Sequence, residues 1–212
     1  MAAGNGADRM RKTLHYAMLS ALVFLCPSGM GFSRTESLLH EWCGIVMFVC
    51  VLLHLVINRR WFSGLLKGKY NANRSMITVT DVLLIVLVIL TVVSSMVISG
   101  YVFSFLGLSG TAWGRRIHFV GTAWLLLLCG IHFGTHISPG KRNPLLYLAG
   151  AGGVAAFAVT RFYERLFLLN EFAYVPDIPE WTVYILHALM LASFIVTGSE
   201  IKRLTARKGS KE

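Results

Sequence analysis

Six apolar runs divide this chain, at about residues 13–32, 38–57, 77–100, 113–136, 144–160 and 181–197. Most approach the ~20 residues that an α-helix needs to cross ~30 Å of hydrocarbon. Lipid offers backbone groups no water to bond, so only helices and closed barrels span it, and the alternating pattern of barrel strands is absent. The expected fold is therefore all-α, an integral membrane bundle of six transmembrane helices forming one domain over 1–212. The run at 144–160 is the weakest, short and rich in Gly and Ala. Composition agrees, with 55% hydrophobic and 14% charged residues and a mean hydropathy of +0.63, values outside those of soluble domains.

A net charge of +10 invites a nucleic-acid reading, but its distribution argues against one. With both termini cytoplasmic, the inner segments hold 15 of the 20 Lys and Arg residues, against Arg34, Arg115, Arg116, Arg161 and Arg165 outside. The positive-inside rule thus orients the chain with both ends in the cytoplasm and accounts for most of the excess. The basic C-terminal tail needs no nucleic acid; anionic lipid is the partner it suits. The basic N-terminus ahead of an apolar run resembles a signal peptide. The run is close to spanning length and lacks a small-x-small cleavage site, so a retained helix is expected.

Cys26, Cys43, Cys50 and Cys129 all fall within the runs, with no CxxC and no CxxCH. That disfavours a disulfide framework, a covalently attached c-type haem and a cysteine-ligated iron–sulfur cluster. Local signals mark several helix starts. Ser33 with Glu36 and Asp177 with Glu180 resemble capping boxes, and Asn143 before Pro144 is an N-cap and first-turn pair. Asp81 reads as a first-turn acid of the third helix rather than a proton carrier. In the outer loop at about 161–175, Phe162, Leu166, Leu169 and Phe172 share one helical face, with Arg161, Glu164 and Arg165 elsewhere. That segment is expected to lie in the interface or cap the bundle, with a plain apolar loop as the alternative.

Five of the seven histidines lie on two helices, in "HEWCGIVMFVCVLLH" from His40 to His54 and "HFVGTAWLLLLCGIH" from His118 to His132, with His136 beyond. Fourteen residues are about four turns, so each pair shares a helical face within ~40° and is separated by ~21 Å along the axis. The second and fourth helices run in the same direction, which matches His40 in depth with His118 and His54 with His132. A single zinc or di-iron site gathers its ligands within ~2 Å of each metal, which residues four turns apart cannot do. Two b-type haems fit, each iron taking an imidazole from either side of the macrocycle, an outer one at His40 and His118 and an inner one at His54 and His132. Full axial ligation favours electron transfer over oxygen activation, and two irons ~21 Å apart cover much of the ~30 Å core.

The competing reading is that these histidines are helix-to-helix hydrogen-bond partners. Four at a repeated spacing and in register are hard to obtain that way. His136, one turn below His132, and His15, at the inner level of the first helix, are alternative inner ligands. His187 reads as a packing or hydrogen-bonding residue, with a quinone-site role as the alternative. Gly44, Gly121, Gly130 and Gly134 lie near the four histidines, where they suit either a haem face or close helix packing. Arg34, Arg115 and Arg116 at the outer level, and Arg59 and Arg60 at the inner, are candidate propionate contacts that interfacial anchoring would also explain.

Histidine pairs on alternate helices look like the di-haem four-helix bundles of quinol–cytochrome c oxidoreductases. More closely, "HEWCGIVMFVCVLLHLVINRRW", "GRRIHFVGTAWLLLLCGIHFGTH" and "ERLFLLNEFAYVPDIPEWTVYILHALMLASFIVTGSEIKRL" resemble the flavinylation-associated cytochromes, a prokaryotic family formerly listed as a domain of unknown function. The resemblance covers nearly the whole chain. It implies a multi-pass cytochrome b of the prokaryotic cytoplasmic membrane with a four-helix di-haem core. Its haem histidines map onto His40, His54, His118 and His132. It implies electrons passing between a quinone pool or other donor and an extracytoplasmic redox protein carrying flavin, iron–sulfur or cytochrome. The chain has no recognisable FMN-attachment sequence, so any flavin would be the partner's. Two alternatives stay open: a cytochrome b subunit of a hydrogenase or formate dehydrogenase, arrangements that often use a first-helix histidine, and a haem-free transporter or assembly protein.

Overall fold

The computed structural model describes residues 2–28, 33–108, 110–137, 143–170, 174 and 177–209. The chain is all-helical, 83% helix, with no strand among the described residues. It divides into two compact units, Met1–Gly68 and Lys69–Glu212.

In the smaller unit, α1 (Ala2–Ser28) packs on α2 (Arg34–Ile57), and a short α3 (Arg60–Gly64) follows. The Ser33 cap forms as the sequence indicates: its Oγ accepts from the Glu36 N–H at 3.1 Å, satisfying one of the orphan donors of the first turn. Trp42, Val46, Val49, Leu53 and Val56 make an exposed apolar stripe along α2 at helical spacing, a surface suited to lipid. α1 starts eleven residues before the first apolar run, because hydropathy marks where lipid is met and not where a helix begins. Residues 29–32 of that run lie outside the described residues, as does Phe172.

The larger unit holds α4 (Ala72–Ile98), a 3-10 turn (Ser104–Leu106), α5 (Ala112–His136), α6 (Pro144–Val159), α7 (Phe162–Leu166) and α8 (Glu180–Gly209). α8 packs against both α5 and α6, and α5 also packs against α4. Small residues allow these approaches. A Cβ on Gly134 would run into the Ile195 carbonyl, and one on Gly198 into the Ile131 carbonyl, so α5 and α8 meet backbone to backbone. Gly153 brings α6 equally close to the Leu189 carbonyl of α8. Asn143 caps α6, its Oδ1 accepting from Leu145 N–H at 3.1 Å, with Pro144 first in the helix.

Among the described residues four helices are long and apolar enough to cross a membrane: α2, α4, α5 and α8 over residues 180–206. The fifth run forms α6, an apolar helix of 16 residues, and the first run contributes residues 13–28 to α1.

Three local readings are corrected. α8 opens at Glu180, with Thr182 N–H bonded to the Pro179 carbonyl, so Asp177 stands outside it and is not its cap. α4 begins at Ala72 behind an Asn71 cap, whose side chain accepts from Arg74 N–H at 2.8 Å. Asp81 is therefore in the third turn, not the first. The segment after α6 does not continue as an amphipathic helix. It makes one turn and stops, with Leu168 in the left-handed region (φ 49°) and Leu169 N–H returning to the Glu164 carbonyl. Phe162, Glu164, Arg165 and Leu166 are buried while Leu169 is exposed, so the turn caps the unit with its charged residues inside.

Candidate metal-ligand histidines

α2 carries His40 and His54, and α5 carries His118 and His132, each pair on one helix as the sequence spacing requires. What the sequence does not reveal is what holds the rings. In the smaller unit, Ser28 at the end of α1 is buried, with its Oγ 3.0 Å from His40 Nδ1. The same hydroxyl donates to the Leu25 carbonyl at 3.3 Å. A hydroxyl that donates to Leu25 can at the same time accept from a protonated Nδ1 of His40.

The larger unit repeats this device twice. Ser95 Oγ lies 3.1 Å from His118 Nδ1 and donates to the Thr91 carbonyl at 2.6 Å, which likewise leaves its oxygen able to accept from a protonated Nδ1. Asp81 Oδ1 lies 2.7 Å from His132 Nδ1, and a carboxylate can only accept there. The two α4 partners, Asp81 and Ser95, are themselves fourteen residues apart, matching the fourteen between His118 and His132 on the antiparallel α5. All three histidines thus have an acceptor within reach of Nδ1, the nitrogen at which an imidazole is held when Nε2 ligates a metal.

His54 is held differently. Its Nδ1 lies 3.5 Å from the Asn58 amide nitrogen, while that amide donates to the His54 carbonyl at 2.8 Å. The His15 ring sits 5.1 Å from the His54 ring, and the His136 ring 4.8 Å from that of His132. Both alternative ligands therefore neighbour the residue each would replace. His187 is fully buried; its Nδ1 is 2.8 Å from the Val183 carbonyl and its ring meets Phe162 edge-on, while Nε2 has no hydrogen-bond partner. That close packing suits the core role expected of it.

The glycines near the histidines separate into two groups. Gly130 and Gly134 face α8, and a Cβ on Gly121 would press on Thr91 Oγ1 of α4, so these three serve helix packing. Only Gly44, one turn from His40, has open space at its Cβ position.

Arg34 opens α2, Arg115 and Arg116 stand exposed in the first turn of α5, and Arg59 and Arg60 are exposed just after α2. A cation that sequence reasoning overlooked lies deeper. Arg165 of α7 is 6% exposed; its guanidinium lies over the Phe119 ring at 4.9 Å and donates to Thr122 Oγ1 at 3.3 Å. Those contacts flank His118, next to it and one turn on. Neighbouring Glu164 meets Arg161 and Asn170.

Among the described residues no three His, Cys, Asp or Glu side chains gather as a metal-ion site. The arrangement instead offers single imidazoles, of which His40, His118 and His132 each have their own acceptor beside Nδ1. Comparison with family profiles, curated proteins and solved structures gives no match to the chain.

Proposed function

We propose that the chain is a six-span, di-haem b-type cytochrome of a prokaryotic cytoplasmic membrane, with both termini cytoplasmic. In this reading it is the electron conduit of a larger redox assembly. His40 and His118 are the axial ligands of the outer haem, and His54 and His132 those of the inner. The haems supply the redox chemistry; the protein supplies ligation, spacing and a dry dielectric. The donor is a quinone or another reductant, and the acceptor an extracytoplasmic flavin, iron–sulfur or cytochrome protein. This reading rests on the sequence repeat and on the resemblance it carries.

The observation that supports it best is the repeated orienting bond at Nδ1. Each of these bonds also joins two helices, but all three are made at Nδ1. An axial haem ligand is served by a bond there, which fixes the ring plane and raises the basicity of Nε2. His40, His118 and His132 fit that requirement. The chain's own residues then act as orienting acceptors (Ser28, Ser95, Asp81), as apolar lipid-facing surface, and as cationic ends for the propionates (Arg34, Arg115, Arg116, Arg59, Arg60).

The nearness of His15 to His54 favours one variant of this reading, a cytochrome b subunit of the hydrogenase or formate dehydrogenase type in which a first-helix histidine ligates the inner haem. Single His54→Ala and His15→Ala chains distinguish the two: whichever loses half of the bound haem has lost the ligand. A full-length chain purified without any b-type absorption bands would return the protein to the transporter or assembly class.

A further inference from the structure

The two histidines of α5 have the same orienting device but opposite electrostatics. At His132 the acceptor is a carboxylate, Asp81, whose side chain is only 14% exposed. At His118 the acceptor is a neutral hydroxyl, Ser95. The neighbours of His118 along α5 meet a buried cation: Arg165 is held over Phe119 and against Thr122. Glu164 beside it is paired with Arg161 and Asn170, so the turn at α7 brings two guanidiniums and one carboxylate. All of these groups belong to the larger unit, and Asp81 is four turns along α4 from Ser95.

We propose that Asp81, Ser95 and Arg165 grade the two ligand positions, making an iron held by His132 harder to reduce than one held by His118. Reduction adds one electron and so one negative charge. A carboxylate hydrogen-bonded to the ligand pushes electron density through the imidazole and stabilises the oxidised iron. A buried cation packed on residues within a turn of the ligand stabilises the reduced iron, and neither charge is screened as it would be in water. A single electron shared between the two positions rests at the His118 end. With the orientation proposed above, that is the outer end, so the grading favours electrons leaving the cytoplasmic side. This inference rests on the di-haem reading.

Redox potentiometry of the full-length chain in detergent, followed by its haem absorption bands, tests it. The haem-to-protein ratio is measured first, because a chain without haem overturns the di-haem reading itself. In a two-haem chain, two one-electron waves are expected. His118→Ala should retain the lower wave and His132→Ala the higher; the reverse assignment overturns the grading. Asp81→Asn should move the lower wave upward and leave the higher in place, Asp81→Glu should restore it, and Arg165→Gln should move the higher wave downward. An unmoved lower wave in Asp81→Asn overturns the grading while leaving the two haems intact. Should Asp81→Asn lose haem, the order of the waves in the two histidine variants still decides.

Discussion

Nδ1 of His132 lies 2.7 Å from Oδ1 of Asp81 on the neighbouring antiparallel helix, a charge-assisted bond between two partly buried groups in a segment of membrane-crossing character. Ionisable groups at such depth are expensive and persist where they serve a site. Removing the carboxylate frees the ring to rotate and lowers its basicity. Asp81→Ala is expected to weaken haem retention at His132 by roughly 10- to 100-fold, the usual cost of losing a ligand's hydrogen-bond partner. Transfer of haem to an excess of apomyoglobin measures it: one of the two haems should leave faster while the other keeps its rate. Equal loss of both would point to general unfolding.

Two neighbouring glycines on α6 should respond oppositely to the same change. A methyl on Gly153 meets the Leu189 carbonyl, whereas one on Gly152 comes no nearer than 3.5 Å to the end of the Leu189 side chain. Gly153→Ala is expected to destabilise the α6–α8 packing by about 1–3 kcal/mol, the usual range for overpacking. Gly152→Ala should be neutral or stabilising by up to ~1 kcal/mol through lower backbone entropy in the unfolded chain. Thermal unfolding in detergent, tracked by helical circular dichroism, reports both. Similar shifts for the two variants would mean that α6 and α8 are not in backbone contact.

The distribution of basic residues predicts sidedness. In a cysteine-free chain, a cysteine at Ser104, in the 3-10 turn after α4, should react with a membrane-impermeant maleimide in intact spheroplasts. A cysteine at Lys67, after α3, should react only once the membrane is opened. Labelling of Lys67→Cys from outside would invert the orientation.

Much of the helical layout was legible from hydropathy and capping chemistry alone, because lipid imposes one solution on each apolar run and Ser33 and Asn143 act on their own first turns. The histidine repeat was legible for the same reason: fourteen residues on a helix is a local quantity. The partners of those histidines were not. Asp81 looked like a first-turn acid because hydropathy starts the third run at residue 77, whereas Asn71 caps the helix two turns earlier among polar residues. Its fourteen-residue spacing from Ser95 was a signal available in the sequence, and it parallels the histidine repeat. Arg165 and Glu164 read as charges off the apolar face because nothing local reveals Thr122, Phe119 and Asn170, their partners in space. Burial of a charge is a tertiary property, and a charged residue in a loop-like segment carries no sign of it.

The central claim is that four histidines at a repeated spacing hold two haems. A pyridine haemochrome assay on the purified full-length chain tests it most directly, alongside His54→Ala and His132→Ala. The account predicts two b-type haems per chain and one in each variant. A chain that carries no haem, or variants that retain both, would contradict it.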